Sequence, residues 1–183
     1  MKVNDRKDWI LRTKLSDESL KLLKEHTDVL TKNINSEDLK QKSTRGYLSE
    51  QYDLKSYDVD PLNKHIVPLL NSNFQNYDFL NVSAWTVYGE EYGYHTIHKH
   101  SQADVKDICT VTYLMVPKPN FNFSGDIFFV LRDLDNELQP FILTPKVGDI
   151  FIFPSHLLHG TTPQPKGTRQ TLNLDYTPFL KKQ

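Results

Sequence analysis

The apolar positions of this chain change their period near residue 78. Before that point they recur at helical spacing: Leu20, Leu23 and Leu30, with neighbouring Leu22 and Val29, form one stripe. Ser16 stands ahead of it as a cap, and Asp17 and Glu18 complement the positive end of the helix dipole. A second short helix starts at Ser36. Asp60-Pro61 opens another, because proline is tolerated in a first turn. Leu62, Ile66, Leu69 and Leu70 form its inner face, and Pro68 limits or kinks it. Residues 43–58 are polar and tyrosine-rich, have no period, and read as a loop.

From about Asp78 the runs become strand-like, over 79–88, 92–100, 108–116, 126–132, 140–143, 149–153 and 169–176. They are rich in Val, Ile, Phe, Tyr and Thr, and Gly, Pro and Asn punctuate them. Many short strands with turn signals predict a β-sandwich or a barrel-like jelly roll. The predicted fold class is α+β. Residues 78–183 form a jelly-roll core, a double-stranded β-helix, and residues 1–77 supply buttressing helices and loop. No repeat or linker divides the 183 residues, so one domain over 1–183 is expected, in the usual range of about 100–200 residues.

Composition removes several function classes. The formal net charge is -1 and the basic residues are dispersed, so neither nucleic acid nor an anionic membrane is an expected partner. No apolar run approaches the ~20 residues that span a bilayer. The segment Met1–Asp8 lacks the apolar core of a signal peptide. The one cysteine, Cys109, excludes an internal disulfide and suits a reducing compartment. Its neighbours Ile108 and Val111 make it a small core residue. The expectation is a cytoplasmic protein, in the host cytoplasm if phage-encoded, working as a monomer or homodimer.

Histidines alter that plain picture. Five of the seven lie between Tyr94 and His159, and Arg169 follows ten residues after the last. In a strand, residues two apart share a face, so His98 and His100 project together, and His95 takes the opposite side. A lone His-x-His is as readily a surface or core pair. A distant third histidine makes it a metal set, because imidazole suits iron, zinc, copper and nickel. His159 is that third member. It follows the turn Pro145–Asp149, the apolar strand Ile150–Phe153 and then Pro154-Ser155. His156 reads as a neighbouring turn residue or a donor behind the ligands. Arg169, Thr171 and Asn173 share one strand face, and an arginine beside a hydroxyl can clasp a carboxylate. Alone, Arg169 would equally read as a solvated strand arginine.

At these residues the chain resembles the Fe(II)- and 2-oxoglutarate-dependent dioxygenases. The likeness is to the prolyl-4-hydroxylase-like branch and the small 2OG-Fe(II) oxygenases of bacteria and phages. It covers about Asn81 to Tyr176. It rests on Trp85–Gly89, His98-Lys99-His100, Tyr113-Leu114, Gly148-Asp149, Phe153-Pro154-Ser155, His159 and Arg169-Gln170-Thr171. The resemblance implies that His98 and His159 bind Fe(II). It implies that Arg169, assisted by Thr171 and Tyr113, holds the far carboxylate of 2-oxoglutarate. Dioxygen and an organic substrate would complete the reaction, with succinate and carbon dioxide released and a C–H bond of a peptidyl residue or small metabolite hydroxylated. The usual iron site has two histidines and a carboxylate. Here His100 occupies the carboxylate position and is carried as the third ligand, with Asp104 as the alternative. Halogenating relatives keep a small residue there, so a histidine speaks against halogenation.

Two other readings remain open from sequence. A cupin-type metalloenzyme with three histidines needs no 2-oxoglutarate, and Arg169-Gln170-Thr171 at its offset disfavours it. A non-catalytic β-sandwich module would use Trp9, Trp85, Tyr88, Tyr92 and Tyr94 as a ligand groove, although such residues are more often core and rim. Substrate choice is expected in residues 43–58, 88–95 and 117–125.

Overall fold

The computed structural model describes residues 8–34, 41–42, 49–101, 107–119, 122, 124–133, 135 and 137–181. The chain opens with β1 (Leu11–Lys14) and α1 (Asp17–Asn33), followed by β2 (Gln41–Lys42), β3 (Ser49–Asp53) and α2 (Asp60–Asn73). Then come β4 (Tyr77–Gly89), β5 (Ile108–Met115), β6 (Ile127–Arg132) and β7 (Leu138–Leu143). The last strands are β8 (Asp149–Pro154), β9 (His159–Thr161) and β10 (Arg169–Leu180). Seven strands form one sheet in the order β1-β8-β5-β10-β4-β3-β2, and β7-β6-β9 form a second. All the pairings are antiparallel. Two facing antiparallel sheets behind two helices are the expected α+β jelly roll.

The helices begin where their caps lie. Ser16 Oγ accepts the Ser19 backbone N–H at 3.1 Å, and Asp17 and Glu18 fill the first turn of α1. Leu23 is buried, and Leu20 and Leu30 pack around it, whereas Val29 points to solvent. Leu62, Ile66 and Leu70 bury the inner face of α2. Pro68 does not end this helix, which runs on to Asn73.

Alternation along the strands builds two cores. Ile150 and Ile152 of β8, Leu114 of β5, and Leu172, Leu174 and Tyr176 of β10 face the helices. Phe151 and Phe153 of β8, Val111 and Tyr113 of β5, and Phe129 of β6 fill the space between the sheets. A period of two thus assigns each central strand one side to the helical layer and the other to the jelly-roll interior.

The N-terminal third departs from its helical reading. Leu11–Lys14 pairs with β8, and Ser49–Asp53, expected to be loop, pairs with β4. Both are short segments whose partners lie far along the chain, so no local period announces them. The short helix expected at Ser36 falls outside the described residues, apart from β2 at Gln41–Lys42.

The expected strand over 92–100 does not form. Its ordered contacts are specific instead. His98 makes an isolated antiparallel bridge to His159, and the two exchange N–H···O=C bonds of 2.9 Å. Two residues on, the His100 N–H donates to the Ser155 carbonyl at 2.8 Å.

Candidate metal centre

Three histidines converge where that irregular segment crosses β9. One ring nitrogen each from His98, His100 and His159 lies within 4.8 Å of the others. The His98 and His100 rings stack at 5.4 Å with 19° between planes, and His159 sits 4.3 Å from His98 and 5.0 Å from His100. Each Nδ1 is already engaged. In His98 it meets the Thr96 carbonyl at 2.8 Å, and in His159 the Leu157 carbonyl at 2.9 Å. In His100 it meets both carboxylate oxygens of Asp175 at 3.1 Å. Nδ1–H pointing at an acceptor fixes the tautomer and leaves Nε2 as the lone-pair donor. Burial, and then the neighbouring His98 and His100, hold the His159 pKa well below the usual histidine value. A neutral imidazole is the form that binds a metal.

β9 is narrow by necessity. A Cβ on Gly160 would lie 2.6 Å from the Phe128 ring and 2.8 Å from the His95 carbonyl. Only glycine lets β6 and the 95–98 segment close around His159.

β10 carries the rest of the site. Arg169, Thr171, Asn173 and Asp175 line a cavity of about 360 Å³ together with the three histidines. Arg169 is 3% exposed, and burial lowers its pKa. Its Nη2 donates to Thr161 Oγ1 at 3.2 Å, but its Nη1 has no hydrogen-bond partner among the described residues. Tyr113 is fully buried, its hydroxyl has no partner among the described residues, and burial pushes its pKa up to about 12. A buried guanidinium and a buried phenol with spare donors suit an anion, since such groups are costly to leave unsatisfied. Thr171 Oγ1 adds a hydroxyl on the same face and accepts from Asn173 Nδ2 at 3.3 Å. Val87, Val111 and Ile127 supply apolar wall. Three imidazoles beside an anion-seeking recess are a donor set that fits Fe(II) and 2-oxoglutarate.

A family model described as "Putative 2OG-Fe(II) oxygenase" matches residues 83–175. The chain belongs to this family. It is a non-haem iron oxygenase whose cofactors are Fe(II) and 2-oxoglutarate, and the cupin and binding-module readings are set aside. By sequence, no curated protein matches the chain. Solved structures share its fold. The collagen prolyl hydroxylase of Paramecium Bursaria Chlorella virus-1 is 17% identical with a TM-score of 0.60, covering 92% of this chain and 96% of that one. A prolyl-4-hydroxylase of Pseudomonas putida is 12% identical with a TM-score of 0.63, covering 93% and 92%. The 2-oxoglutarate (alpha-ketoglutarate)-dependent epimerase SnoN of nogalamycin biosynthesis is 14% identical with a TM-score of 0.70, covering 94% and 77%.

The oxygenase site differs from the sequence expectation at His95 and holds two further side chains that the expectation does not include. Strand parity places His95 on the opposite side. It lines the cavity instead, with its ring 5.9 Å from His98, because 92–100 is not a regular strand. His156 stands in a turn, the first of its two readings, and its ring meets Asp8 at 3.2 Å. Asp104 lies outside the described residues. Asp175 and Cys109 were missed: Cys109 Sγ lies 3.0 Å from His100 Nδ1, and Asp175 braces the same atom. Asp175 was findable, since it continues the face of Arg169, Thr171 and Asn173 by one more step of two. Cys109 sits beside it only through the register of β10 on β5.

Proposed function

We propose that this oxygenase holds Fe(II) through His98, His100 and His159, and receives 2-oxoglutarate at Arg169, Thr171 and Tyr113. The carrying observation is the set of contacts made by the three Nδ1 atoms. Three Nδ1 atoms are tied back, which leaves three Nε2 atoms for one centre, next to a buried guanidinium with a spare donor. When bound, iron and 2-oxoglutarate supply an oxidant made from dioxygen, with succinate and carbon dioxide as products. Arg169 orients the co-substrate by donating to its far carboxylate, and Tyr113, a neutral phenol at working pH, donates to the same group. Val87, Val111 and Ile127 keep water from the recess.

The substrate is an organic molecule whose C–H bond is hydroxylated, either a peptidyl residue or a small metabolite. The fold likeness to prolyl hydroxylases supports the first, and the likeness to SnoN supports the second. Half-buried Gln51 and Trp85, on β3 and β4, line the cavity and are the side chains we assign to substrate contact. Helices and jelly roll act as one domain.

The test is an anaerobic titration with Fe(II) and 2-oxoglutarate, followed by exposure to air. A weak visible charge-transfer band and release of succinate are expected. Absence of both sinks the reading.

A further inference from the structure

The three proposed ligands are all neutral, whereas the usual non-haem iron triad includes a carboxylate. The missing charge is present one bond further out. Asp175 is 8% exposed, and no lysine or arginine among the described residues pairs with it. Both of its oxygens face His100 Nδ1 at 3.1 Å, and Ser83 Oγ donates to Oδ2 at 3.1 Å. The strand register brings these groups together. Asp175 of β10 lies opposite Ser83 on β4 and Cys109 on β5, and the register with β4 shifts immediately after it. The Trp85 ring, 5.1 Å from His100 at 60°, fixes the imidazole from another side.

His100, Cys109 and Asp175 could be taken for a second metal set. Their spacing argues otherwise. Ligand atoms around one tetrahedral ion with bonds of 2.0–2.3 Å stand roughly 3.3–3.7 Å apart. Here the separations are 3.0 and 3.1 Å, which are hydrogen-bond distances.

We propose that Asp175 is the positioning residue that supplies, through His100, the negative charge a carboxylate ligand would otherwise bring to the iron. This rests on His100 being a ligand, as proposed above. The carboxylate takes the Nδ1–H bond, makes the imidazole a stronger donor at Nε2, and offsets the extra positive charge of an all-histidine site. A carboxylate placed directly at position 100 would make Asp175 redundant.

That redundancy is the test. Fe(II), with Co(II) as an air-stable probe, is titrated into the wild-type protein, Asp175→Asn, His100→Asp and the double variant, and the d–d and charge-transfer bands are recorded. Asp175→Asn should weaken metal binding roughly 10–100-fold and shift the bands. In the His100→Asp background, the same change should do neither. Equal losses in both backgrounds would mean a merely structural carboxylate and would overturn the proposal, as would an unaffected Asp175→Asn. Wild-type protein that binds no metal removes the ligand assignment as well. A loss with His100→Ala but none with Asp175→Asn removes this inference alone. Should His100→Asp fail to fold, nitrogen-15 NMR of the metal-free protein decides. Wild-type His100 should carry its proton on Nδ1, and Asp175→Ala, which removes the acceptor, should release that preference. An unchanged tautomer overturns the proposal.

Discussion

The two chain segments that meet at the histidine cluster are built differently. His159 stands on β9, is 4% exposed, and is enclosed by Phe129 and Phe153, with ring centroids at 6.1 and 4.7 Å. His98 and His100 stand on an irregular segment, tied down by the bridge to His159 and by hydrogen bonds to Ser155 and Thr161. One side is thus held by a packed core and the other by hydrogen bonds to Thr161, His159, Ser155 and Asp175 and by the Trp85 ring. The candidate metal site is therefore more firmly preorganised from the β9 side. Local opening should start at 95–100, where few buried contacts resist it.

Substitutions can break or sharpen that contrast. The largest effect is expected for His159→Ala. It should cost more metal affinity than the roughly 10–100-fold typical of losing a group behind a ligand, as read by Fe(II) or Co(II) titration. Arg169→Ala should come next. It should weaken 2-oxoglutarate binding by roughly 1.5–3 kcal/mol, the worth of a hydrogen bond to a charged group, and spare metal affinity. Equal loss of metal would show that Arg169 supports the cluster rather than the co-substrate. Gly160→Ala forces apart Phe128 and the His95 carbonyl, and overpacking of this kind costs about 1–3 kcal/mol in a urea melt.

Acid supplies a smaller lever. His159 has its folded pKa depressed well below 6.5, so below that pH the unfolded chain takes up a proton that the folded one refuses. Metal-free protein should lose stability as pH falls through 6.5, and almost none of this loss should appear above about pH 7.5. A flat urea midpoint between about pH 7.5 and about pH 5.5 would contradict the assignment. The smallest effect is expected for His95→Gln. Its residue lines the cavity but lies outside the three-nitrogen cluster, so metal affinity should hold.

The same contrast explains what could be read in advance. α1 was legible because Ser16, Asp17 and Glu18 are local signals. The cavity face of β10 was legible because Arg169, Thr171 and Asn173 lie in a regular strand, where a period of two holds. The placement of His95 failed because parity needs a continuous strand, and 92–100 has only an isolated bridge. His98 and His100 still converge, but through contacts with His159 and Ser155 that sequence spacing does not encode. β1, β3 and the Cys109–Asp175 contact were hidden for a common reason. Each depends on which distant strand lies alongside, and register is a property of the assembled sheet.

Cys109 is the only thiol in the chain, and it is wholly buried directly behind His100. Burial, and then Asp175, push its pKa well above 9.0. In the closed protein it is therefore shielded from alkylating reagents twice over, by access and by protonation. Its rate of labelling becomes a clock for the breathing of the fold at one defined depth, with no probe introduced. Ions that bridge the two segments should slow that clock, so a mass spectrometer could follow occupancy of the centre without any turnover.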